Sequence, residues 1–170
     1  MAQIAANRLG TRRLEELFGR WSKPQVTEGC TAIINAVTRR MRAGITDLPD
    51  GEYHFEDVLD DDGMGTTEIP IVVHIRVAGE EVWLDFAGSG PQVKGNMNNS
   101  FAGLQASVLF ALKVLIDPDG PTNHGMLEPV HITAPEASVV NASFPAATAA
   151  RAQTCQRIID VILGALAPAV

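Results

Sequence analysis

Aromatic side chains make up only 5% of this 170-residue chain, and cysteine occurs just twice. With so few aromatics, the core has to be assembled from Ala, Val, Ile and Leu. Cys30 and Cys155 are too few for a disulfide scaffold or a zinc ribbon. Both lie in helical surroundings, where a buried, reduced thiol is expected. Positive charge is also short: 13 Lys and Arg face 20 Asp and Glu, for a net charge of -7. That balance excludes nucleic acid as the main partner, because phosphate binding needs a basic face. Long apolar runs are missing too. The terminal "IIDVILGALAPAV" is broken by Asp160 and too short to span a bilayer. The opening "MAQIAANRLG" lacks the basic region and apolar run of a signal peptide. A soluble, cytoplasmic protein is the expectation.

A hydrophobic fraction of 46% and a charged fraction of 19% are globular values, and the length suits one domain with a real core. Apolar spacing predicts a helix over about residues 2–19, through Ile4, Leu9, Leu14, Leu17 and Phe18, with Gly19 as its stop. Its cluster Arg8, Arg12, Arg13 and Arg20 is mixed with Glu15 and Glu16, which reads as a solvated or interface face. "WSKPQVTEG" reads as a connector. A second helix is expected over about 26–43, with Cys30, Ile33, Ile34, Val37 and Met41 in one stripe. Arg39, Arg40 and Arg42 fall in its last turn, where cations suit the dipole.

The character changes after Gly44. Pro49-Asp50-Gly51 is a turn, and Tyr53, Phe55 and Asp57 alternate with His54 and Glu56 as in a strand. "DDDGMGTTE" is a loop. Residues 69–88 form a hairpin, with Ile71, Val73, Ile75 and Val77 on one face and Val82, Leu84 and Phe86 returning. A largely apolar, buried helix is predicted over about 100–116. "MLEPVHITAP" reads as an edge strand because of Pro129. A long Ala-rich connection leads to a final helix over about 154–166. The expected class is α+β, in a single domain with a helical part, 1–46, and a mixed part, 47–170.

Between strand and helix lies "DFAGSGPQVKGNMNNS". Glycines permit close backbone approach, helix N-termini favour anions, and Asn side chains cap helices or bind amides. One reading is a cradle for a small polar or anionic substrate, and the other is a long capped loop with no ligand. The spacing matches neither a P-loop nor a dinucleotide fingerprint. Candidate substrate contacts are Asp85, Ser89, Asn98, Asn123, His124 and Arg151. No catalytic residue stands out. His124 could serve as a base or ligand, but His124 and His131 lack tight metal-ligand spacing. The acidic run Asp57, Asp60, Asp61, Asp62 lacks the calcium-loop pattern, and Ser89 lacks a nucleophile elbow. Arg151 could clamp a carboxylate or pair with an acid such as Asp160.

"AANRLG", "LPDGEYHFEDVLDDDG", "VWLDFAGSGPQVKGNMNNS", "TNHGMLEPVHITAPEASVVNASFPAA" and "TCQRIIDVILGALA" occur in order along nearly the whole chain. Together they resemble the middle portion of the hydantoinase B/oxoprolinase family. Its members include the B-type subunits of N-methylhydantoinases, 5-oxoprolinases and the acetone and acetophenone carboxylases. The family pattern is matched at Asp85, Phe86, Gly88, Gly95 and Asn98, and again at Asn123 and Gly125. Many relatives carry Gly-Asn where Ala150 and Arg151 stand. The resemblance implies part of the B component of an ATP-dependent amidohydrolase that opens a cyclic amide after phosphorylation with an A-type partner. Alternatives are a component of a biotin-independent ketone carboxylase and a non-catalytic scaffold. It also implies ATP and a divalent metal for the whole complex. The family's metal segment has no counterpart in these residues, so further B-type polypeptide is an expected partner.

Overall fold

The computed structural model describes residues 2–170. In chain order it contains α1 (Ala2–Arg20), α2 (Lys23–Thr46), β1 (Gly51–Asp61), β2 (Thr67–Ala78), β3 (Glu81–Asp85), α3 (Phe101–Ile116), β4 (Val130–Thr133) and α4 (Arg151–Leu166). The class is α+β, with one four-stranded mixed sheet ordered β1-β2-β3-β4. β1, β2 and β3 pair antiparallel, and β4 joins β3 in parallel at the edge, in keeping with Pro129 just before it.

Period-two alternation decides the two faces of the sheet. Ile69, Ile71, Val73, Ile75 and Val77 of β2 are buried, as are Val82 and Leu84 of β3. Against this face lies α4, which crosses β1 and β2 and buries Ile158, Val161, Ile162, Ala165 and Leu166. α3 stacks on α4. The opposite face carries His54, His74, Arg76, Asp85 and Thr133, all exposed.

Several boundaries differ from expectation, each for a local reason. Pro24 does not belong to a connector but opens α2, where a missing N–H costs nothing. Ser22 caps that helix: its hydroxyl accepts from the Gln25 N–H at 3.4 Å, while its own N–H donates to Gln25 Oε1 at 2.9 Å. At the other end α2 continues past Gly44 to Thr46. Arg39, Arg40 and Arg42 are therefore not in its last turn. Arg40 instead grips Asp117 with two hydrogen bonds of 2.6 Å, and Arg42 reaches Glu80 and Glu81. Gly44 is needed where it stands, because a Cβ there would meet the Ile116 side chain at 2.0 Å.

α3 was expected to be buried on most sides. It buries Leu104, Ser107, Val108, Ala111 and Leu112 but leaves Phe110 and Val114 exposed. α4 starts at Arg151, a turn earlier than predicted. Cys30 is exposed and Cys155 half-buried, and both are free thiols; neither is the fully buried group expected. Among the described residues none of α1 is buried, and α2 buries only Val37, Met41 and Ile45. α1 and the exposed start of α2 thus form an arm that stands off the body, while the rest of α2 packs on it. No described helix is long and apolar enough to cross a membrane.

Candidate functional site

Residues 86–100 do not hang free. Their backbone is stitched to three other segments. The Gly90 N–H donates to Pro70 O at 2.8 Å, and Gly90 O accepts from Val139. The Asn99 N–H donates to Val139 O at 2.7 Å, and Asn99 O accepts from Ala142. The Ala150 N–H donates to Asn96 O at 2.8 Å, at the root of α4. Ser89 adds a side-chain latch, accepting from the Val72 N–H at 3.0 Å and donating to Val72 O at 3.2 Å.

Asn98 is fully buried, and its amide is consumed by the protein. Its Nδ2 donates to the carbonyls of Val93, Gly95 and Ala147 at 2.9 to 3.0 Å, and its Oδ1 accepts from the Val93 N–H at 2.8 Å. Asn99 is equally buried and reaches Cys155 Sγ. At the N-terminus of α3 the Ser100 hydroxyl accepts from the Gly103 N–H at 3.2 Å, so one of the unpaired donors there is already capped. Among the described residues no buried side-chain polar atom lacks a partner. Of the two sequence readings, the inner half of the stretch follows the capped loop.

Asp62 was read as part of a solvated turn, yet only 5% of it is exposed. Its Oδ1 accepts from the N–H groups of Met64 and Thr66 at 2.8 and 2.9 Å, and its Oδ2 from Gly95 at 3.1 Å. Burial pushes this carboxyl upward, but the N–H groups of Thr66, Met64 and Gly95 outweigh it and lower the pKa to about 2. Asp62 therefore ties the acidic loop to the glycine- and asparagine-rich one. Gly95 makes the tie possible: a Cβ there would come within 2.1 Å of Asp62 O.

Where these loops meet the start of α4, a polar cleft of about 550 Å³ opens. Asp60, Asp61, Asn96, Gln153, Arg157 and Asp160 supply its polar lining. Arg157 pairs with Asp57 and lies 3.9 Å from Asp160, the role that sequence reading gave as an option for Arg151. Arg151 itself is exposed and touches only Thr148 O, at 3.5 Å.

The remaining candidates lie elsewhere. Asn123 caps the short 3-10 turn His124–Met126 by accepting from the Gly125 N–H at 2.8 Å. That turn packs on α2, for a Cβ on Gly125 would meet Ile34 O at 2.3 Å. His124 is exposed, with Glu128 3.6 Å away. Asp85 belongs to the open sheet face, where its Oδ1 accepts from the Thr133 hydroxyl at 2.9 Å and from the Ala87 N–H at 3.1 Å. Of the six predicted contacts, none lines the cleft, though Asn98 and Arg151 flank residues that do. Asn96 and Arg157 were missed. Asn96 is the exposed amide beside three buried residues, and its spacing carries no mark of that difference.

Among the described residues no group of three or more His, Cys, Asp or Glu side chains is arranged to hold a metal ion. The donor oxygens of Asp62 are occupied by backbone N–H groups. These residues do not fit a metal site.

The caprolactamase subunit beta of Pseudomonas jessenii is 33% identical over 147 residues, covering 85% of this chain and 25% of its own. The crystal structure of the ATP-dependent caprolactamase from that organism superposes with a TM-score of 0.90 at 28% identity, over 99% of this chain and 29% of that one. The 5-oxoprolinase of Saccharomyces cerevisiae is 30% identical over 167 residues, covering 95% of this chain and 13% of its own. The chain spans 30% or less of the length of the curated relatives it matches. The description hydantoinase B/oxoprolinase matches residues 1–170 without remainder, and the chain belongs to that family.

Proposed function

We propose that this chain is part of the B component of an ATP-dependent hydrolase of cyclic amides, acting with an A-type partner and further B-type polypeptide. The observation that carries the proposal is the match to caprolactamase over 99% of the chain, in fold and in sequence together. The relatives' subunit names support a multi-chain assembly. An unstrained amide is a poor electrophile until its oxygen is phosphorylated, so ring opening by a partner that binds ATP is chemically sensible. No step through ATP or a metal is assigned to the residues of this chain.

In this reading the cleft at the root of α4 is the contribution to the substrate cavity. Asn96 and Gln153 offer amide donors and acceptors of the kind that hold a cyclic amide. Asn98 and Asp62 are positioning residues that keep the loop in one shape. Ser89 anchors the same loop to β2. Asn123, His124 and Arg151 lie outside the cleft.

The test is ATP-dependent ring opening of 5-oxoproline or hydantoin by the reconstituted complex. Asn96→Ala is expected to lower kcat/KM by about tenfold, the loss of one or two polar contacts. Its melting temperature should stay unchanged, since the side chain is exposed. Bicarbonate-dependent ATP consumption with a ketone, and no ring opening, would overturn the reading in favour of a carboxylase.

A further inference from the structure

α1 carries an apolar stripe that nothing in this chain covers. Among the described residues no α1 side chain is buried, and Ile4, Leu14, Leu17, Phe18 and Trp21 keep between 38% and 54% of their surface exposed. Trp21 extends the same helical ladder, because its N–H donates to Leu17 O at 3.0 Å. Ile4, Asn7, Thr11, Leu14, Phe18 and Trp21 recur at alternating steps of three and four, the spacing of the seam in a two-stranded coil. Leu9 falls on the other side of the helix and has no place in this seam.

The stripe is uneven along its length. Its C-terminal half holds the bulk, in Leu14, Leu17, Phe18 and Trp21. Its N-terminal half holds a notch of about 420 Å³, lined by Ile4, Asn7, Arg8, Thr11, Arg12 and Glu15 with no other element contributing. Ile4, Asn7, Arg8 and Thr11 stand at i, i+3, i+4 and i+7, the four corners of a hole that receives a knob from a facing helix. One helix therefore carries knobs at one end and a hole at the other.

Two copies of α1 laid antiparallel bring these halves together. When Thr11 faces Leu14 of a second copy, Asn7 faces its Phe18 and Ile4 faces its Trp21, and the two-fold axis repeats each contact. A parallel pair would set bulk on bulk and notch on notch. Charge selects the same arrangement. The antiparallel register places Arg8 of each copy beside Glu15 of the other, whereas a parallel pair gives neither a partner of opposite sign. Among the described residues neither Arg8 nor Glu15 has an ion-pair partner in its own chain; the one such pair within α1 joins Arg13 to Glu16. Four Arg against two Glu give α1 a charge of +2, which leaves -9 for the rest of the chain. Antiparallel helices hold these two acidic bodies at opposite ends of the pair, about 25 Å apart, where their repulsion is screened.

We propose that α1 is a self-association surface that pairs antiparallel with α1 of a second copy of this chain, with Arg8 and Glu15 fixing the register. The seam from Ile4 to Trp21 is only about two and a half heptads long, so the contact is small. A reversible dimer with a Kd of about 100 μM is expected. Dilute protein is monomeric, and the pairing involves neither ATP nor substrate.

The test is sedimentation velocity on the full 170-residue chain from about 5 μM to about 1 mM. Monomer at the low end and dimer at the high end are expected. Arg8→Glu and Glu15→Arg each turn two attractions into two repulsions and should weaken association about tenfold. An equal mixture of these two variants should regain the native affinity as a heterodimer, and so should the double variant Arg8→Glu, Glu15→Arg. Leu14→Lys should stay monomeric throughout. All three side chains are exposed, so unchanged circular dichroism verifies that the variants fold. A native chain that remains monomeric at 1 mM would overturn the proposal and leave α1 to a different polypeptide. A dimer that survives Leu14→Lys, by way of the apolar groove on α3 for instance, would also overturn it. So would single variants that weaken association without rescue in the mixture.

Discussion

α2 carries a single apolar stripe with two fates. Val37, Met41 and Ile45 in its second half are buried, with Met41 at 1% exposure, whereas Ile33 in its first half is 60% exposed. The stripe is continuous in sequence, so propensity and periodicity do not separate the halves. What separates them is whether polypeptide lies opposite: α2 packs against β3, α3 and the 3-10 turn, which cover Val37, Met41 and Ile45 but leave Ile33 bare. α1 is bare along its length, exposing Ile4, Leu9, Leu14, Leu17 and Phe18. A helix that makes no tertiary contact keeps only its propensity, since packing of an apolar face supplies most helical stability.

The sharpest way to break this comparison is Met41→Ala. Removing a fully enclosed side chain is expected to cost about 3–4 kcal/mol, read as a loss of chemical-denaturation stability. If Ile33→Ala costs the same, the two halves do not differ as described. Next in size is Asn98→Ala, which leaves three carbonyls and one N–H without their partner. About 2–3 kcal/mol is expected, with Asn96→Ala as the silent neighbour; equal losses at both would contradict the burial difference.

A smaller effect, confined to acid, belongs to Asp62. Its pKa is lowered from 3.8 to about 2 in the folded protein. A depressed carboxyl contributes stability that is fully present above the ordinary value and is lost as pH falls through the folded one. The gap in melting temperature between the native protein and Asp62→Asn should therefore be constant near neutrality and shrink between pH 3.8 and about 2. A gap that persists to the lowest pH would rule out the anionic tie. The smallest effect is expected in the arm: Leu14→Ala and Phe18→Ala should stay within about 0.5 kcal/mol.

Much of the fold was legible because hydrophobic periods speak for single elements. Alternation of Ile71, Val73, Ile75 and Val77 marks β2 and its inward face, and Pro129 marks the edge position of β4. The functional site was less legible. Asn96, Asn98 and Asn99 are chemically alike and nearly adjacent, yet the first is exposed and the other two are sealed. Their fates depend on Ala147, Val139 and Cys155, some 40 to 56 residues away. Asp62 was misread for the same reason, since its third N–H partner is Gly95.

By itself the sequence determined the element types, the inward faces, the acidic balance and the family. These depend on residue spacing within one segment, or on motifs in order. Only the tertiary structure decided which amides are buried, which half of α2 is bare, and which side chains share a row across four strands. Register and loop closure join segments far apart in the chain, and no local period encodes which distant carbonyl or carboxylate will stand opposite.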